Sequence, residues 1–107
     1  MNPEIVIAMY RPNEGKDEEL QALIREHIPT LRRLGLITER PAILCRSSDG
    51  TYLEIFEWSS NEAAGLAHEH PDVVKIWEPM AAVATFPGLG DLPEAGHRFP
   101  HFAPVNA

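Results

Sequence analysis

One cysteine, Cys45, is all the sequence carries, so no disulfide can form within the chain and stability has to come from packing. Such sparse cysteine usage suits a reducing compartment, and the expected location is cytoplasmic. Long apolar runs are missing too. The run Ile5–Tyr10 has six residues against the roughly 20 that span a bilayer, and no basic segment precedes it as in a secretory leader. Positive charge is scarce: 9 Lys and Arg stand against 16 Asp and Glu, a formal net charge of -7, and Arg32-Arg33 is the one adjacent basic pair. A nucleic-acid footprint needs Lys and Arg massed on one face, so neither nucleic acid nor an anionic membrane is expected as a partner.

What remains is a chain with 44% hydrophobic and 23% charged residues, the balance of one globular domain over residues 1–107. At this length about two-thirds of the unfolded surface can be buried, so a second subunit would add usefully to the core. Glu4–Tyr10, EIVIAMY, is β-branched and apolar, the pattern of a strand buried on both faces. Leu20, Leu23, Ile24, His27, Leu31 and Leu34 then recur at spacings of three and four, a helical stripe that contains a histidine. Pro29 should kink or split that helix, and Gly35 is a good residue to end it.

A second strand is expected over Ile37–Ser47, with Pro41 marking an edge or bulge. Asp49-Gly50 predicts a two-residue hairpin loop. That loop would pair Ser47 with Tyr52, Cys45 with Glu54, Ile43 with Phe56 and Pro41 with Trp58 on one face. Ser59 and Glu62 have the spacing of a capping box, predicting a short helix over about 60–69. Pro71 suits the first position of another helix, striped by Val73, Val74, Trp77, Met80, Ala81 and Ala84. After the Gly- and Pro-rich Phe86–Gly96, the segment His97–Val105 alternates in strand fashion, and its prolines confine it to an edge.

The order is β-α-β-β-α-β, an α+β, ferredoxin-like arrangement with a four-stranded antiparallel sheet and helices on one face. The uncovered face carries apolar side chains and is expected to pack on a second copy as a homodimer. In this order of elements the chain resembles the dimeric α+β barrel superfamily, in its antibiotic-biosynthesis-monooxygenase-like branch. The stretch from Glu54 through Trp58 to Glu62-Ala63, the His68/His70-Pro71 step and the helix ending Leu34-Gly35 carry the resemblance. It implies a ligand cavity between each sheet and its own helices, and oxidation or isomerisation of a small aromatic or polyketide-like compound without a cofactor. Where haem-degrading relatives carry Asn, Trp and His, this chain has Ile7 or Ala8, Ala67 and Trp77, which argues against that activity.

Several side chains are left over once the fold is accounted for. Glu54 lies mid-strand between aromatic neighbours, where a carboxylate has to be paired, wet or neutralised. It is a candidate general base or an interface salt bridge. His68 and His70 flank a helix break and are candidates for acid–base work or for solvated caps. His27, Trp58 and Trp77 are expected to line the pocket or to fill the core. A non-catalytic ligand-binding protein is the main alternative. A metalloprotein using His97 and His101 with His68 or His70 is a third reading, without a ligand-spacing motif to support it.

Overall fold

In the computed structural model, which describes residues 2–106, β1 (Glu4–Pro12) and β3 (Tyr52–Trp58) form the centre of an antiparallel sheet. Their register sets Val6 across from Phe56, Ala8 from Glu54 and Tyr10 from Tyr52, so these six share one face. β2 (Ile43–Arg46) flanks β3 and β4 (Ala84–Thr85) flanks β1, while β5 (Ala103–Pro104) adds an edge beside β2. The sheet order β4-β1-β3-β2-β5 is the ferredoxin-like order with one strand more than the four expected. The strand that completes the fold is short β4, not the C-terminal segment. Pro100 and Pro104 lack ladder donors, and the tail instead crosses to the far edge, where Val105 N–H bonds to the Leu44 carbonyl at 2.9 Å.

α1 (Asp17–Arg33), α2 (Ala63–Glu69) and α3 (Pro71–Val83) supply the layer over this sheet. α1 buries Leu20, Ile24, His27 and Leu31, the predicted stripe, against Tyr10 and Tyr52 at one end and Phe56 and Trp58 at the other. It runs unbroken through Pro29, and α3 through Pro79. Both prolines lie on exposed helix faces, where water can satisfy the carbonyl each leaves unpaired. α1 ends as expected: Gly35 has φ +74°, with Gly35 N–H on the Arg32 carbonyl and Leu36 N–H on that of Leu31.

Three local expectations fail for physical reasons. The hairpin loop has three residues, Ser48-Asp49-Gly50, because Gly50 at φ +92° closes a turn onto Ser47, and Ser47 N–H then bonds to the Thr51 carbonyl. Cys45 therefore faces Leu53 and Leu44 faces Glu54, a one-residue slip that exchanges the two faces of β2. Strand two is also shorter than predicted, contributing β2 and a single bridge from Ile37 to Trp58. Finally, Ser59 does not cap α2. Its hydroxyl donates to the Gly35 carbonyl, fastening the end of β3 to the end of α1, and α2 begins at Ala63.

The outer face of the sheet is divided. Leu92 and Phe102 of the tail cover Leu53, Cys45 and Met9. Beyond that cover, Ile7, Ile55 and Ile43 sit side by side across three strands, with Ile5 next to them; Ile43 is 59% and Ile5 56% exposed.

Candidate functional site

The inner face of the sheet and the helices enclose a cavity of about 570 Å³, within the range of roughly 300–1,000 Å³ usual for small-molecule sites. β1 contributes Val6, Ala8 and Tyr10, and β3 contributes Phe56 and Trp58. α3 supplies Val74, Trp77, Glu78, Met80 and Ala81, with His27 from α1, His68 from α2 and Phe86 from the segment after β4. Ala8, with only a methyl group, lines it between the bulkier Val6 and Tyr10 of the same face and stands across from Glu54.

Four side chains in and behind this wall form one hydrogen-bonded chain. Trp77 Nε1–H donates to His27 Nε2 at 2.8 Å. His27 Nδ1 lies 2.7 Å from Glu54 Oε1, and the Tyr10 hydroxyl donates to the same oxygen at 2.9 Å. An indole nitrogen can only donate, so His27 Nε2 accepts and the ring's proton sits on Nδ1, directed at Glu54. In this arrangement His27 is neutral and Glu54 carries the charge. Burial, reinforced by the Glu54 charge beside it, pushes the Tyr10 hydroxyl well above the ordinary tyrosine value.

The elements explain the convergence. His27 occupies the core stripe of α1, and Glu54 is the third residue of β3, on the face its neighbours Tyr52 and Phe56 share. Glu54 is 1% exposed and lies behind the cavity wall, reaching the space only through Tyr10 and His27. Of the other residues singled out from sequence, Trp58 and Trp77 line the cavity, and His68 lies at its exposed mouth with its ring 4.7 Å from that of Trp77. His70 goes elsewhere. Its Nδ1 accepts from Asp72 N–H and caps α3, a structural role that takes it away from the cavity lining. His97 and His101 are exposed, and among the described residues no three His, Cys, Asp or Glu side chains are placed to hold a metal ion. Cys45 is buried on the opposite face, which raises its thiol above the ordinary value.

Two participants were not singled out from sequence. Tyr10 was legible only as a strand residue, because its bond to Glu54 depends on how β1 and β3 pair across more than forty residues of chain. Phe86 follows β4 and stacks edge-on against Tyr10, with ring centroids 6.0 Å apart.

No protein-family model matches this chain, and no curated protein does. Solved structures do. A mutant form of SnoaB, a cofactor-independent oxygenase from Streptomyces nogalater, superposes with a TM-score of 0.67 at 16% identity, covering 81% of this chain and 88% of that one. Rv0793 from Mycobacterium tuberculosis gives 0.66 at 23% identity, over 80% and 87% of the two chains. The chain shares the ferredoxin-like α+β fold of these structures. Tetracenomycin F2 cyclase from Streptomyces glaucescens, a type-II polyketide cyclase, covers more of the chain, 97% of this one and 94% of that one, with a TM-score of 0.55 at 18% identity. No helix among the described residues is long and apolar enough to cross a membrane.

Proposed function

We propose that this protein is a cofactor-independent, monooxygenase-like enzyme of the cytoplasm that acts on a small aromatic or polyketide-like compound. The observation that carries the reading is the Trp77–His27–Glu54 chain at the wall of an otherwise apolar cavity. A protein that only stored or carried an apolar ligand would have no use for a buried carboxylate aimed at an imidazole, since burying that charge costs several kcal/mol. The oxygenase and the polyketide cyclase that share the fold support the same substrate class.

His27 is the group that takes a proton. An acidic hydroxyl or activated C–H of the substrate replaces the Trp77 indole on Nε2, and the imidazolium that forms is held by Glu54, which orients the ring and balances its charge. Glu54 is thus a positioning residue rather than the base itself. In an oxygenase the resulting substrate anion reduces dioxygen directly. A methylene becomes a carbonyl, one O₂ is consumed and one water is released. His68, at the mouth, hydrogen-bonds the entering ligand. A hydroxylated anthrone and dioxygen test this. The expected result is oxygen uptake with quinone formation above the solution rate, and a fall of about 10²–10⁴-fold in kcat for His27→Gln and Glu54→Gln with KM little changed. Ring closure of a polyketide mimic without oxygen uptake would point to a cyclase, and tight binding without turnover of either compound would overturn the enzyme reading.

The isoleucines left uncovered on the outer face support a homodimer through that face. Sedimentation should give a dimer at micromolar concentration and a monomer for Ile43→Glu; a monomeric wild type removes the proposal.

A further inference from the structure

We infer that the cavity selects its ligand by charge, taking uncharged hydroxylated aromatics and rejecting their carboxylates. The inference rests on the aromatic-ligand reading above and adds to it the charge state of the substrate. Its basis is the set of ionisable groups around the space. Among the described residues no Lys or Arg lines the cavity. Glu54 contributes a negative charge just behind the wall, and neither of its partners cancels it, because His27 is held neutral by the Trp77 indole and Tyr10 is a phenol. Glu78 adds a second carboxylate at the exposed edge, and no cation among the described residues is paired with it. His68, exposed at the mouth, is the one remaining titratable group that faces the ligand.

A carboxylate entering this space gives up its hydration to an apolar lining and meets charge of its own sign with no guanidinium or ammonium to receive it. A hydroxyl has the opposite fate. It can donate to His27 Nε2, and transfer of its proton creates an anion and an imidazolium together, so the sum of charge in the cavity does not change. An acidic precursor therefore has to be esterified or decarboxylated before this protein can use it, which places an esterifying or decarboxylating reaction upstream.

The test is equilibrium binding of a matched pair, a dihydroxyanthraquinone carrying a hydroxymethyl group and its counterpart carrying a carboxylate, followed by quenching of Trp77 and Trp58 fluorescence. It is run at a pH of about 8, where a histidine is ordinarily neutral. The hydroxymethyl compound is expected to bind at least tenfold more tightly, and Glu78→Gln is expected to shrink that ratio threefold or more. Equal or tighter binding of the carboxylate overturns the charge inference while leaving the aromatic-ligand reading intact. Binding of neither compound overturns both.

Discussion

Glu54 and Glu94 are both glutamates with almost no exposed surface, 1% and 7%, and they are held in different ways. Glu94, in the second of two single 3₁₀ turns after β4 (Pro93–Gly96), divides its two oxygens between two donors of the hairpin tip. Oε1 accepts from the Ser47 hydroxyl at 2.8 Å and Oε2 from Ser48 N–H at 2.9 Å. Neither donor lines the cavity described above. Glu54 takes both of its donors, Tyr10 and His27, on one oxygen, and those donors are themselves part of a cavity wall. The first arrangement is a clamp that fastens the tail over Leu53 and Cys45. The second transmits a charge to a place where a ligand can sit. Burial of a carboxylate is therefore no mark of function by itself; what its partners face decides.

The comparison can be broken or sharpened by mutation. The largest effect on stability is expected for Glu54→Ala, which leaves the Tyr10 hydroxyl and the His27 Nδ1–H without an acceptor inside the core. A loss of about 2–4 kcal/mol in urea unfolding is expected, with Glu54→Gln retaining an acceptor and losing less. A loss below about 1 kcal/mol would mean that the network is not a buried unit.

Trp77→Phe should cost about 1 kcal/mol, since it removes one donor and leaves Nε2 facing the cavity. Its sharper readout is the nitrogen spectrum of His27, which should show a fixed Nδ1–H tautomer in the wild type and a mixture in the variant. An unchanged spectrum would show that the indole does not set the tautomer.

Glu94→Gln should be the mildest. Tail amides are expected to exchange about tenfold faster while unfolding of the core and ligand binding stay near wild type. Bonds from Ser48 N–H and the Ser47 hydroxyl hold the Glu94 carboxyl below the ordinary glutamate value. A depressed folded value means that the clamp is complete above the unfolded value of about 4.3 and is lost as pH falls through the lower folded one. The Ser48 amide shift, followed through acid titration, reads this directly. Global unfolding of Glu94→Gln as severe as that of Glu54→Ala would erase the distinction between the two glutamates.

Much of the architecture was legible in local pattern. The stripe Leu20, Ile24, His27 and Leu31, the end at Gly35, the strand alternation of Tyr52 through Trp58 and the start of α3 at Pro71 all come from periodicity and turn chemistry. The site was legible in part. His27 and Glu54 could each be picked out as a polar residue in an apolar setting, but their partnership could not, because 27 residues of chain separate them. His70 shows the converse case. Its sequence context, a histidine before a proline, fits a helix cap and a catalytic group equally well, and only the structure shows the cap, with the Asp72 N–H on its Nδ1.

The sequence alone determined which residues of an element share a face, since a period of 3.6 or 2 is a property of the backbone and needs no partner. Tertiary structure decided everything that depends on register. One extra loop residue, Ser48, exchanged the faces of β2, a two-residue strand took the place expected for the tail, and Ser59 left its cap for the end of α1. The same holds for the chain from Trp77 to Tyr10. Its four residues come from two strands and two helices, and only the packing of those elements sets the distances that let one histidine be neutral, one glutamate charged, and both address the same cavity.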